Sequence, residues 1–330
     1  MRVAVLGAGG PAGVNVCRAL ADAGHDVVGI DGNEAHLIWC KPFCVETHVG
    51  GTELLSGIAD VLHAQPEAQV QWLADNRSSL DGLTLLPDAR VIARTQDKFE
   101  TGLEWRRAGL REDRICLVQD ERGIGEALSW LGARPFWFRA RRGAGAKGAI
   151  LARTYDEARY WFRFWQARDL RVDFLAEAYL PGRDFCWTSL WHEGTLIAAF
   201  ARERLEWMYP HLTPSGRTGT PSIAVTIHEE AVSVMAREAV LTLDDPHGIY
   251  AVDLVEDEAG TPRPTEINAG RWPTTSPLYS ELGVNLPDLH VRLAAGEDVE
   301  PLGDNVYPAG IVLSRHIDCG HVFSSVALTA

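Results

Sequence analysis

The sequence predicts an α/β fold that opens with a doubly wound layer. A buried strand pattern at residues 2–6 runs into the glycine cluster Gly7-Ala-Gly-Gly-Pro-Ala-Gly13, an amphipathic helix pattern covers residues 14–23, and a second strand at residues 25–30 ends at Asp31. These make a βαβ unit. A different pattern follows later, where strands at residues 135–140 and 149–153 flank a basic glycine-rich loop, residues 141–148. A connection this short implies an antiparallel pair.

The rest of the first layer is expected as a helix near residues 53–64 and strands near 69–74 and 90–93, closing a first domain at 1–94. A helix at residues 96–110, starting at Asp97-Lys98, opens a second unit, 95–180. It continues with a strand at 114–118, a helix at 123–131, the strand pair, an aromatic-rich helix at 156–167 and a strand at 174–180. The third unit, 181–330, alternates strands and helices and contains a long polar connection at residues 207–221.

With 330 residues, 46% of them hydrophobic, and 11 Trp, the chain can bury a large core. A formal charge of -14 argues against nucleic acid as a partner, because phosphate backbones demand an excess of Lys and Arg. The apolar N-terminal stretch is too short for a signal peptide or a membrane span. The six cysteines, Cys17, Cys40, Cys44, Cys116, Cys186 and Cys319, contain no C-x₂-C pair and read as reduced core thiols of a cytoplasmic protein. Cys40-x₃-Cys44 is too weak a pattern for zinc.

Glu266-Ile267-Asn268 carries the strongest chemical signal. On a strand, residues i and i+2 face one side, so Glu266 and Asn268 converge while Ile267 faces a core. Asp253 ends an apolar run joined to that strand through a turn at residues 256–260, so the three oxygens can meet across a hairpin. Hard oxygen ligands in this number suit Mg²⁺ shared with nucleotide phosphates. The basic glycine loop is no P-loop, since no G-K-[ST] opens a helix there. Its free backbone N–H groups, with Lys147 at the tip, can instead fold over phosphates. Arg139 lies in an apolar strand, where an inward guanidinium needs an anion. The N-terminal glycines with Asp31 admit two readings: a dinucleotide site built on Gly7, Gly9 and Asp31, or a tight turn that only permits close packing.

Taken in order, Asp97-Lys98, Arg139, the loop at 143–148, Glu177 with Asp184, and Asp253 with Glu266-x-Asn268 resemble the ATP-grasp superfamily, and most of all a synthetase half of the carbamoyl-phosphate synthase large subunit. The resemblance implies a Rossmann-like pre-ATP-grasp domain followed by two α+β lobes. It implies that Lys98, Arg139 and the lid residues Gly143, Gly145, Lys147 and Gly148 hold the ATP phosphates. Glu177 and the Ala178, Tyr179 and Leu180 backbone would meet adenine, and Asp184 the ribose. Asp253, Glu266 and Asn268 would bind Mg²⁺, with Mn²⁺ as a substitute, while Arg271, Arg217 and Lys147 would serve catalysis. Relatives commonly read E-x-N-x-R, whereas here Gly270 takes that place and Arg271 follows.

The implied activity is ATP-dependent carboxylate–amine ligation through an acyl phosphate, forming an amide or peptide-like bond and releasing ADP and phosphate. Its partners would be a small carboxylate, a small amine and a second copy of the chain. Three rivals are weighed at this point: an NAD(P)-dependent oxidoreductase using the N-terminal glycines, a non-catalytic homologue acting as a nucleotide-responsive binding protein, which would have little reason to keep both the metal-type oxygens and the phosphate cations, and an enzyme that phosphorylates bicarbonate or carbamate.

Overall fold

The computed structural model describes residues 1–112, 115–132, 134–143, 145–146, 148–168, 172–317 and 320–324. Its first layer is a parallel sheet. β1 (Arg2–Leu6), with Val3 to Leu6 fully buried, sits between β2 (Asp26–Asp31) and β4 (Val61–Ala64), and β3 (Glu46–Val49) pairs with β2 at the edge. Continuous apolar runs are what a strand covered on both faces requires. α1 (Pro11–Asp22) begins with Pro11, whose missing N–H costs nothing at a helix start, and packs Val16, Cys17 and Leu20 inward. α2 (Glu34–Cys40) and β3 lie in a stretch for which the sequence offered no element.

Three expectations in this layer are corrected. The helix near residues 53–64 is a 3₁₀ turn at Thr52–Leu54 followed by β4. The strand near 69–74 is α3 (Glu67–Asn76), and the strand near 90–93 is α4 (Ala89–Thr95). The cause is shared: a short apolar run fits a buried strand or one face of a helix equally well. Val70, Leu73 and Ala74, at i, i+3 and i+4, face the core from α3, and the Asp88 carboxylate caps α4 by accepting from the Arg90 N–H at 2.8 Å.

After α5 (Lys98–Arg107) the chain builds a four-stranded antiparallel sheet in the order β5-β8-β6-β7, from β5 (Ile115–Val118), β6 (Phe136–Ala140), β7 (Ile150–Ala152) and β8 (Phe174–Ala178). α6 (Glu121–Leu131) and α7 (Tyr155–Ala167) cover one face. Phe136, Phe138, Phe162 and Phe174 form its separate core. Here the expected elements appear, with ends shifted by at most three residues.

The remaining chain forms a seven-stranded sheet, β13-β12-β9-β10-β11-β14-β15. Its strands are β9 (Asp184–His192), β10 (Thr195–Trp207), β11 (Pro221–Ile227), β12 (Gly248–Glu256), β13 (Pro262–Ala269), β14 (Val312–His316) and β15 (Gly320–Ser324). α8 (Glu230–Leu241) packs on β12 and β13, and α9 (Leu286–Ala294) reaches α1. The core of this sheet is continuous with that of the parallel layer: Leu6 and Ile30 share a cluster with Trp187, Tyr250 and Ile267. Among the described residues, no helix is long and apolar enough to cross a membrane.

Two histidines are buried where the parallel layer meets the large sheet. His63 on β4 and His290 on α9 meet edge to face at 5.3 Å between ring centroids, and His290 Nε2 donates to the Leu85 carbonyl at 2.9 Å. Burial lowers both, His63 further through its neighbour, and brings His290 down to about 4. The unfolded chain therefore binds more protons than the native one as pH falls below about 6.5, so stability present above that value is lost on acidification. We expect His290 alone to remove about 2 kcal/mol between pH 7 and pH 5. Thermal melts of His290→Gln, whose amide can still donate to Leu85, should fall less over this interval than those of the wild type.

Candidate active site

The antiparallel register of β12 and β13 brings the expected metal ligands together. Asp253 pairs directly with Glu266, Ala251 with Asn268, and Ile267 is buried behind them. The hairpin turn is fixed by Asp257, whose carboxylate accepts from the Ala259 and Thr261 N–H groups at 2.9 and 3.0 Å. Each ligand oxygen faces a cation. Asp253 Oδ1 accepts from Arg204 Nη2 at 2.5 Å, Glu266 lies 3.6 Å from Lys98 Nζ and 3.8 Å from Arg139 Nη1, and Asn268 Oδ1 accepts from Arg271.

These residues line a cavity of about 390 Å³ between the two antiparallel sheets, a size in the range of small-molecule sites. One wall is the small sheet. Arg139 donates to both Glu177 oxygens, at 2.5 and 3.1 Å, and to the Thr265 carbonyl at 2.8 Å. Arg111 Nη1 adds a bond to Glu177 at 3.1 Å. Burial pushes the Glu177 carboxyl up, but the Arg139 and Arg111 charges outweigh it and hold it below the usual range. Glu177 therefore anchors two guanidiniums, and the Ala178, Tyr179 and Leu180 stretch beyond it borders the cavity.

The opposite wall holds a second charge chain. Arg204 bridges Asp184, at 3.0 Å, to Asp253, and Arg217 Nη1 reaches the other Asp184 oxygen at 2.6 Å. Burial raises the Asp184 carboxyl despite these two cations. Arg204 stands over Trp207 and Arg217 over Trp137, at 5.2 and 5.5 Å. Arg204, Arg111 and the two tryptophans were not singled out from the sequence. A usable signal existed for one of them, since Arg202-x-Arg204 interrupts an apolar strand just as Arg139 does.

Lys98 and the basic glycine loop share one root. Asp97 caps α5 through the Phe99 and Glu100 N–H groups and accepts from Arg141 Nε at 2.9 Å and Arg142 Nη2 at 2.7 Å. Burial opposes its ionisation, but the Arg141 bond and the Glu100 N–H hold the carboxyl below its ordinary value. Lys98 Nζ donates to the Gly143 carbonyl at 2.6 Å. Gly143, Gly145 and Gly148 all have positive φ, a backbone that side chains rarely adopt. Gly145 meets Gly219 so closely that a Cβ on Gly219 would stand 2.7 Å from Gly145 Cα. Lys147 lies outside the described residues.

Gly270 explains the displaced arginine. Its φ is +78°, and a Cβ there would stand 2.8 Å from Val70 and 3.2 Å from Leu86, so a side chain at this position would be strained and would press on α3 and the loop that follows it. Arg271, one residue later, turns back to Asn268 and comes within 4.0 Å of Glu67.

The N-terminal glycines are occupied from within. A Cβ on Gly7 would lie 2.4 Å from Pro66, and one on Gly9 2.5 Å from His36. Asp31 accepts from the Gly9 and Asn33 N–H groups at 3.1 and 2.9 Å. This geometry favours the packing reading over the dinucleotide one.

Comparison with solved structures agrees with the arrangement of sheets. N5-carboxyaminoimidazole synthetase from Staphylococcus aureus, solved with ADP, superposes with a TM-score of 0.76 at 18% identity over 95% of this chain and 81% of that one. L-amino acid ligase from Bacillus licheniformis gives 0.72 at 13% identity over 94% and 79%. The biotin carboxylase domain of 2-oxoglutarate carboxylase from Hydrogenobacter thermophilus, a dimer with MgADP and bicarbonate, gives 0.71 at 16% over 94% and 73%. The fold is that of the ATP-grasp enzymes. No protein-family model and no curated protein sequence matches the chain.

Neutralising Glu177 should be costly, because Arg139 and Arg111 would keep their burial and lose their anion. Glu177→Gln is expected to lower unfolding free energy by about 3–5 kcal/mol, read from urea denaturation followed by tryptophan fluorescence.

Proposed function

We propose that the protein is an ATP- and Mg²⁺-dependent carboxylate–amine ligase. The observation that carries this reading is the convergence of Asp253, Glu266 and Asn268 on one face of a hairpin, ringed by Lys98, Arg139, Arg204 and Arg271, inside a cavity of nucleotide size. Two carboxylates and one amide oxygen fit a hard cation that keeps further positions for phosphate and water. The four cations fit a polyanion in the same space. The ATP-grasp fold adds support, and its solved relatives include an L-amino acid ligase and enzymes crystallised with ADP.

In this reading Asp253, Glu266 and Asn268 hold Mg²⁺, which when bound neutralises charge on the phosphate oxygens. Lys98 and Arg139 bind phosphates, and the Gly143, Gly145 and Gly148 loop, with Lys147, closes over them and excludes water. The backbone at Ala178 to Leu180 takes adenine, with Glu177 fixing that strand through Arg139. Asp184, placed by Arg204 and Arg217, takes the ribose hydroxyls. Arg271 and Arg217 orient the attacking carboxylate toward the γ-phosphate. No side-chain nucleophile is needed, because phosphoryl transfer is accelerated mainly by positioning and charge compensation. The acyl phosphate then loses phosphate to the amine, giving an amide, ADP and phosphate. Residues 1–94 form the pre-ATP-grasp domain, 95–180 the lid lobe and 181–330 the metal lobe of a cytoplasmic enzyme, working as a homodimer.

Mg-ATP should raise the melting temperature of the wild type, since it binds only the folded state, while NADH and NADPH should not. Glu266→Ala should melt as the wild type does without ligand, lose the Mg²⁺-dependent shift, and lose ADP release. Normal ADP release from a folded Glu266→Ala protein would remove the metal assignment. Dependence of wild-type ADP release on bicarbonate alone, with no response to organic acids, would replace the carboxylate with bicarbonate.

A further inference from the structure

Three thiols converge in the parallel layer, apart from the nucleotide cavity. Cys17 lies on the buried face of α1, Cys40 is the last residue of α2, and Cys44 follows the 3₁₀ turn Lys41–Phe43. Cys40 and Cys44 meet over Gly29 of β2. A Cβ on Gly29 would stand 3.0 Å from Cys44 Sγ and 3.1 Å from Cys40 Sγ, so the glycine leaves the space that the sulfurs fill. Cys40 Sγ donates to the Leu37 carbonyl at 3.3 Å. All three are free thiols. Cys17 and Cys40 are buried, whereas Cys44 is partly open, which gives the cluster one solvent edge.

The thiolate is the reactive form of cysteine. A sulfur oxidised in contact with a second thiol condenses to a disulfide before it can climb to a higher oxide. Cys40 and Cys44 are the better pair. Both sulfurs lie against the same glycine and are only four residues apart, while Cys17 is held on a separate helix by the core.

We propose that this cluster is a peroxide-reactive thiol site that closes a disulfide between Cys40 and Cys44. A hydroperoxide enters at the Cys44 edge, and a thiolate of the Cys40/Cys44 pair attacks one of its oxygens. The O–O bond breaks, a sulfenic acid forms, and the other oxygen leaves as water or alcohol with the thiol proton. The other thiol of the pair then attacks the oxidised sulfur, the S–O bond breaks, and water leaves. Two thiols are thereby oxidised to one disulfide and one peroxide is reduced. Cys17 stays a thiol.

The test treats the reduced full-length protein with one equivalent of hydrogen peroxide, alkylates the remaining thiols and maps the peptides by mass spectrometry. The expected result is a Cys40–Cys44 bridge that dithiothreitol reverses, with Cys17, Cys116 and Cys186 alkylated. Cys17→Ser should keep the bridge and Cys44→Ser should lose it. Alkylation of all three thiols in the peroxide-treated wild type, conversion of Cys44 to sulfinic acid, or a bridge to any other cysteine would overturn the proposal. The wild-type map decides even if a variant fails to fold, and it does not depend on the ligase reading.

Discussion

The antiparallel register of β12 and β13, which shifts by one residue just beyond Asp253, sets Asp253 against Glu266, and the geometry of the whole cavity follows from that pairing. Slipping the register by one residue would turn Glu266 and Asn268 into the core and bring Ile267 out. The burial of Ile267 and the pairing of β12 with β9 hold it against this. The same ladder then places Asp184, at the start of β9, beside Val255 and within reach of Arg204 from β10. Three neighbouring strands thus deliver the carboxylates and the guanidinium that joins them.

Charge compensation is the second constraint. The cavity gathers Lys98, Arg111, Arg139, Arg204, Arg217 and Arg271 in a chain whose overall charge is -14. Buried cations are tolerated only where anions are close, and two carboxylates take most of this load. Glu177 serves Arg139 and Arg111, and Asp184 serves Arg204 and Arg217. Asp253 and Glu266 face cations as well.

The two glycine clusters do opposite work. At Gly7 and Gly9 the missing side chains are replaced by Pro66 and His36, so the turn packs the parallel layer. At Gly143 and Gly145 nothing fills the side-chain position, and the positive φ values leave backbone facing the cavity. Composition alone does not separate these cases, because glycine permits close approach without saying what approaches.

The sequence by itself determined the pieces whose chemistry is local. Alternation on one strand put Glu266 and Asn268 on one face and Ile267 in the core. An arginine inside an apolar strand announced a buried anion. The antiparallel hairpin that carries the glycine loop was likewise legible, since its short loop admits no other connection. What the tertiary structure decided was everything that depends on which elements become neighbours. α3 and α4 are helices because their apolar residues have a core to face on one side only, which a four-residue run does not reveal. Glu177 became the partner of Arg139 through the pairing of β6 with β8, Arg204 entered the site because β10 lies beside β9, and Gly270 had to be glycine because α3 packs against it. Periodicity along a chain fixes the side to which a residue points, but only packing between distant segments fixes what it meets there.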